Sequence, residues 1–351
     1  MPNQVFEKHV WAEIDLDALR QNFRAVKQRA GELPLCAVVK ADSYGHGAVQ
    51  CARVFAEEGA AWLACSCLAE ALQLRQAGLT LPILILGHVY ASCAADLIRN
   101  HITAACYSLE QAEALSKAAC AAGGRVQVHL KADTGMGRIG FALRTDFEKA
   151  VREMAHACQL PGLAMTGLFQ HFAVADETDE ADVAYTAEQH ALFVQAFQAL
   201  KTAGHEPALV HCDNSAGVML HPEWPEGLDR SRCMARPGII LYGFDPSSAV
   251  RFRPASASAS THRLRISSSS NRTPLHRKCR TGSMAALTIT GCAPRRCSCS
   301  TDSSSHRMRF PTVSTYFPSS SGCFSARDTA QTGSCPSRAP SRMPSRICLD
   351  Q

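Results

Sequence analysis

After residue 250 the chain contains no glutamate and a single lysine, while serine, arginine, proline and cysteine crowd the same stretch. Long hydrophobic runs are missing throughout. The most apolar segment, LPILILGHV at 81–89, has the length of a buried strand, so no membrane span is expected. The N-terminus, MPNQVFEKHVWAEID, lacks a continuous apolar core, and no signal peptide is expected from it. Paired C-x-x-C knuckles are absent although the chain has 17 cysteines. Their scatter through helix-like and strand-like segments favours reduced thiols and a cytoplasmic location.

The net charge of +5 conceals two unlike regions. Residues 1–250 carry 20 Lys and Arg against 28 Asp and Glu, whereas residues 251–351 carry 16 against 3. The second region shows neither helical nor strand periodicity over a useful length. It cannot bury enough apolar surface to offset its chain entropy, so residues 247–351 are expected to form an irregular or disordered basic tail, not a native domain. A nucleic-acid-binding arm would set such arginines on phosphates, but aromatic interleaving and recognition motifs are lacking, and no nucleic-acid partner is expected. Cys279, Cys292, Cys297 and Cys299 do not have the spacing of a zinc knuckle, and no metal is expected. Excess Ser, Arg, Pro and Cys without glutamate is what a G/C-rich gene gives out of frame. Loss of the coding frame between residues 247 and 251 is the preferred account.

Residues 1–246 alternate strand and helix signals. A strand at 11–15 and a helix from 16 to about 29 precede eight apolar candidate strands, at 35–40, 62–65, 83–86, 102–106, 126–131, 164–169, 209–212 and 233–236. Helical stretches at 48–58, 108–122 and 147–158 repeat apolar residues every three or four positions. Short apolar strands between amphipathic helices imply buried parallel strands. Eight of them in about 200 residues predict an α/β fold of the (β/α)8 TIM-type barrel, with a doubly wound open sheet as the alternative.

Barrels of this kind keep their chemistry at the C-terminal ends of the strands. There the sequence places Lys40, then Lys131, Asp133 and Arg138, then His171, Asn214 with Ser215, and Arg236. So many polar groups at one set of strand ends predict a single site at the barrel mouth. The run KADTGMGRIG at 131–140 spells the dinucleotide fingerprint through Gly135, Gly137 and Gly140. No helix opens inside it, because the next start signal is Thr145 and Asp146, so nicotinamide binding is not expected. Taken alone, Asn214 and Ser215 are an ordinary helix N-cap, His171 a structural hydrogen-bonder and Lys131 a solvated strand-end lysine.

The run AVVKADSYGHG at 37–47 puts Lys40 at the end of an apolar strand and a glycine-rich polar turn just beyond it. An amine so placed suits Schiff-base chemistry beside a phosphate. The run resembles the pyridoxal-phosphate lysine motif of alanine racemases, and the resemblance continues through TGMGR, QHFA, NSAG and RPGIILYG. It implies pyridoxal 5'-phosphate joined to Lys40, with Tyr44, Ser215 in its Asn214-led loop, and the backbone amides of Gly238 and Ile239 at the phosphate. The same resemblance sets His171 near the cofactor ring, Arg236 on the pyridine nitrogen, and Arg138 on the ring oxygen and the substrate carboxylate. Lys131 matches a lysine that is carbamylated in some members and supports that arginine. The implied reaction interconverts L- and D-alanine for peptidoglycan in a homodimer. An arginine does not readily give up its proton, so the pyridine nitrogen is expected to stay unprotonated, which weakens the electron sink and suits racemisation.

Inversion needs proton groups on both faces of the substrate. Lys40 serves one face; the family takes the other from a tyrosine in a C-terminal β domain of the partner subunit. Beyond Tyr242 the only tyrosine is Tyr316, in TVSTYFPSS, which does not resemble that segment. The closing residues 346–351 resemble a short motif of the family's catalytic domain. The resemblance thus implies the cofactor-binding half and leaves inversion without its second group, and this tail does not favour the family's dimer. The alternatives are a single-barrel pyridoxal-phosphate-binding protein without racemase activity and another amino-acid racemase of the same fold.

Overall fold

Strands of three to five apolar residues with no polar face must be covered on both sides. The computed structural model, described for residues 10–221, 227–251 and 262–266, builds a parallel sheet from them. The elements run β1 (Val10–Ile14), α1 (Leu16–Ala30), β2 (Cys36–Val38), α2 (Lys40–Gly45), α3 (Ala48–Glu57), β3 (Trp62–Cys65) and α4 (Leu68–Gln76). Next come β4 (Ile83–Ile85), α5 (Ala94–Arg99), β5 (Ile102–Cys106), α6 (Leu109–Ala121), β6 (Val126–Asp133), β7 (Phe141–Ala142) and α7 (Phe147–Gln159). The last are β8 (Leu163–Phe169), α8 (Glu180–Thr202), β9 (Leu209–His211), α9 (Ser215–Leu220) and β10 (His262–Ile266).

The strands lie in the order β2-β3-β4-β5-β6-β8-β9, each pair parallel, with β7 paired to β6. Residues 233–236 close the ring. Cys233 bridges Val210 on one side and Ala235 bridges Leu35 on the other, both parallel. The Met234 N–H donates to the Val210 carbonyl at 3.0 Å and the Cys36 N–H to the Ala235 carbonyl at 2.8 Å. The fold is therefore the closed barrel, not the open sheet. The eighth stave makes single bridges and no regular strand, because Pro237 has no N–H with which to extend the ladder.

Period-two alternation sorts the strand side chains into two layers. Cys36, Val38, Ala64, Leu84 and Met234 form a small cluster inside the ring. Their neighbours Ala37, Val39, Leu63, Cys65, Ile83 and Ile85 join the larger core beneath the helices. In that core Phe23 of α1 stacks on Phe55 of α3 at 5.6 Å between ring centres. Asp15, Ser108, Asp146, Asp179 and Asn214 each cap a helix by accepting a backbone N–H from its first turn.

Strand β6 runs two residues past its expected end, to Asp133, and β2 stops at Val38 instead of reaching Lys40. Within the expected irregular tail, β10 pairs antiparallel with β1, from Val10 opposite Ile266 to Ile14 opposite His262. Residues 247–251 are described and form no helix or strand, and the remainder of that expectation, with Tyr316 and Cys279, Cys292, Cys297 and Cys299, lies outside the described residues. Among the described residues no helix is long and apolar enough to cross a membrane.

Candidate functional site

Immediately after the buried Lys40, the backbone turns left-handed. Ala41, Asp42, Ser43 and Tyr44 have φ of 50, 53, 56 and 54°, a conformation that costs about 1–2 kcal/mol for each residue with a Cβ. A mesh of bonds holds the turn. The Ser43 N–H donates to Val39 O at 3.0 Å, and the Gly47 N–H to Asp42 O at 2.9 Å. The Asp42 carboxylate accepts the Ala48 N–H at 2.6 Å, and Glu70 accepts the Ala41 N–H at 2.8 Å. His46 lies within 2.8 Å of the Ser43 carbonyl through Nδ1, which must carry the proton to donate there. Lys40 Nζ comes to lie 5.5 Å from the centre of the Tyr44 ring. Strain retained in so restrained a turn points to a function.

A cavity opens where the strands end, and Tyr44 forms part of its wall. Ser215 and Gly238 meet at one end: the Gly238 N–H donates to Ser215 Oγ at 2.9 Å. A Cβ on Gly238 would stand 2.5 Å from the Tyr44 hydroxyl, so only glycine allows that approach. Asn214 lines the wall while its side chain caps α9 through the Gly217 N–H at 3.0 Å.

Another part of the wall is cationic and buried. The Arg236 guanidinium meets His211 Nδ1 at 2.8 Å and donates to the carbonyls of Gln170 at 2.6 Å and Cys212 at 3.3 Å. Its carbon lies 5.5 Å from the centre of the Phe169 ring, which stacks on His211. Burial pushes the guanidinium below its ordinary pKa. Because arginine only donates, His211 Nδ1 must accept, leaving its Nε2 to donate to His129 Nδ1 at 2.8 Å. Burial, then the Arg236 charge, holds His129 down to about 3 and His211 well below the usual imidazole range. A register shift between Val128 and His129 adjusts β6 at this point, and a Cβ on Gly167 would meet the His129 ring at 2.7 Å.

Lys131 is 2% exposed, and its amine has the Ala132 carbonyl at 3.4 Å and the Phe169 ring centre at 5.2 Å. Burial first, and then Arg236, pushes that amine well below its ordinary pKa. His171, also on the wall, is held well below its usual range by burial and the same cation.

The structure thus brings Tyr44, Lys131, His171, Asn214, Ser215, Arg236 and Gly238 to one cavity, with Lys40 against Tyr44. Arg138 sits exposed on the loop after β6, and Ile239 opens the 3₁₀ turn Ile239–Tyr242 outside the cavity wall. That loop is shaped by Asp133, whose carboxylate accepts the N–H groups of Gly135 and Gly137 at 3.0 Å each. No helix opens in it; the next one begins at Phe147 behind the Asp146 cap, which removes the dinucleotide reading. Sequence reasoning missed the apolar wall residues Val38, Leu86 and Phe169, and the pair His129 and His211. Period-two spacing in β6 puts His129 on the same face as Lys131 and was a usable signal.

A family model described as "Alanine racemase, N-terminal domain" matches residues 14–246. The alanine racemase of Desulforamulus reducens is 43% identical over 242 residues, covering 69% of this chain and 62% of that protein. The alanine racemase of Desulfovibrio desulfuricans is 44% identical over 244 residues, with 69% and 62% covered. Among solved structures, alanine racemase of Clostridium difficile 630 in complex with cycloserine aligns with a TM-score of 0.64 at 37% identity, covering 74% of this chain and 68% of that one. Alanine racemase from Bacillus anthracis with bound L-Ala-P gives a TM-score of 0.63 at 31% identity, covering 71% and 62%. The chain spans about three-fifths of the length of the curated relatives it matches.

Proposed function

This chain belongs to the alanine racemase N-terminal domain family, and from that premise we propose that residues 14–246 are the cofactor-binding half of a racemase acting on alanine. The family depends on pyridoxal phosphate. The observation that carries the reading is the single cavity with a polar end at Ser215 and Gly238, a buried guanidinium at Arg236, and Lys40 behind Tyr44. These residues fit the group. Ser215 Oγ, the Gly238 N–H and the Tyr44 hydroxyl offer donors for a phosphate ester, and glycine at 238 leaves room for its approach.

When bound, pyridoxal phosphate supplies an electron sink that acidifies the α-hydrogen of an amino acid. Arg236, fixed by His211 and two carbonyls, presents a donor that keeps its own proton, so a ring nitrogen facing it gains a hydrogen bond and no charge. Lys40 is the amine that holds the cofactor and moves a proton on one face. His171 would pack by the cofactor ring, and the reading would need Arg138 and Ile239, which lie outside the cavity wall, to supply further carboxylate and phosphate contacts. Alanine as substrate, a cytoplasmic location, a homodimer and a role in peptidoglycan supply belong to the same proposal, supported by the motifs. So does a domain boundary at 246, where the family match ends.

The test of cofactor binding is retention. Full chain incubated with pyridoxal phosphate is expected to carry it through gel filtration, and Ser215→Ala to weaken binding about 10-fold or more, the size of a charge-assisted hydrogen bond. Protein that leaves the column without cofactor would overturn the reading.

Lys131 adds a second expectation. Burial and then Arg236 favour the neutral form of its amine, and a neutral amine attacks CO₂, forming an N–C bond and releasing a proton. The carbamate would be an anion beside Arg236. With ¹³C-bicarbonate the full chain is expected to show a carbamate carbon signal that Lys131→Met lacks. Because the folded pKa is lowered, the reactive amine is present above that lowered value and is lost as acid protonates it. A spectrum without the signal, at neutral and mildly alkaline pH, would remove Lys131 from the proposal.

A further inference from the structure

Glu70 is not among the residues that line the cavity, yet its carboxylate ties together two loops at the barrel mouth. One oxygen accepts the Ala41 N–H at 2.8 Å. The other accepts the Ser66 N–H at 2.7 Å and the Ser66 hydroxyl at 2.8 Å. Glu70 is the third residue of α4, whose N-cap Cys67 contributes no side-chain bond. A glutamate there ordinarily reaches back to the N-cap amide. This one reaches past it to Ser66 and across to the residue that follows Lys40.

Ala41 is where the backbone enters the left-handed region, at φ 50°, with a Cβ that disfavours it. The turn has no glycine before Gly45, so bonds must hold what the residue types resist. Rotation of Ala41 back to the right-handed region would reorient the peptide joining it to Lys40, and the Lys40 side chain with it. Three donors converge on one carboxylate, whose two oxygens accept all of them.

We propose that Glu70 is a positioning residue for Lys40: by holding the Ala41 N–H it keeps the left-handed turn, and so keeps the Lys40 amine against Tyr44 at the cavity. The proposal rests on the reading of Lys40 as the cofactor lysine.

The experiment uses the full chain with Glu70→Ala, Ala41→Gly, and the two combined. It follows the rate of borohydride-stable labelling of Lys40 by pyridoxal phosphate, beside the thermal midpoint. Glu70→Ala is expected to slow labelling about 10²-fold, the usual effect of a reacting atom displaced by about an ångström. Ala41→Gly adopts positive φ without a steric cost, so in the double variant it should restore the wild-type rate. A merely structural tie through Ser66 would lower the thermal midpoint, leave the labelling rate of folded protein unchanged, and gain nothing from Ala41→Gly. Either a wild-type rate in Glu70→Ala or failure of the glycine to rescue would overturn the proposal. If Glu70→Ala does not fold, Glu70→Gln serves instead. Its amide cannot accept on both sides, so labelling should slow less, and again be rescued by Ala41→Gly. Wild-type protein that labels nowhere would overturn the reading of Lys40 itself, a separate outcome.

Discussion

In deuterium oxide with L-alanine, the full chain is expected to exchange the α-hydrogen faster than it makes D-alanine. On the proposed reading, Lys40 removes and returns a proton on one face only. Two nearby groups, His171 and Tyr242, are poorly suited to the opposite face. His171 is held well below its usual range and so is a weak base at neutral pH. Tyr242, behind the wall, donates its hydroxyl to the Val38 carbonyl at 2.9 Å, and burial pushes its phenol well up. A missing positioned acid–base group costs about 10²–10⁴-fold, so inversion should fall by that factor while exchange with retention persists. Chiral chromatography and proton NMR on the same sample separate the two rates. Residues 1–246 joined to the C-terminal domain of a relative should regain inversion. Inversion as fast as exchange in the unaltered chain would mean that it contains a second group outside those described.

Lys40→Ala is expected to remove both rates together. The variant loses the attachment point and the only base assigned to the reacting carbon, so exchange should fall by about 10³–10⁴-fold or more, and methylamine should restore part of it by supplying an amine from solution. Loss of inversion with exchange intact would instead assign Lys40 to one stereochemical direction and leave another residue as the general base. The fold should survive, since truncating a buried amine leaves the left-handed turn and its bonds to Glu70, Asp42 and His46 in place.

The barrel was legible because its strands are short and apolar and its helices are amphipathic. The 62–65 and 102–106 segments were placed to the residue. The eighth stave was located correctly, but its reduction to single bridges depends on how Pro237 meets its neighbours in the closed ring. The site was legible as a set of strand-end polar residues, since strand direction alone carries them to one mouth. The left-handed turn was not. Ala41, Asp42, Ser43 and Tyr44 have no intrinsic preference for positive φ, and the bonds that impose it come from Glu70 and Ala48, distant or downstream in sequence. The Arg236, His211, His129 chain was only partly legible, because His129 lies inside one strand and His211 ends another, where a lone imidazole has many uses. Strand β10 escaped notice because five residues alternating Arg with apolar side chains are too few to rise above a serine- and arginine-rich background.

The central claim is that Lys40 holds pyridoxal phosphate in the cavity at the barrel mouth. It is tested most directly by peptide mass mapping of the full chain after brief exposure to pyridoxal phosphate and borohydride. The pyridoxyl group is predicted on the peptide containing Lys40, with exposed lysines such as Lys117 and Lys149 labelled far more slowly. Equal labelling of those surface lysines, or labelling at Lys131 in place of Lys40, would contradict the claim.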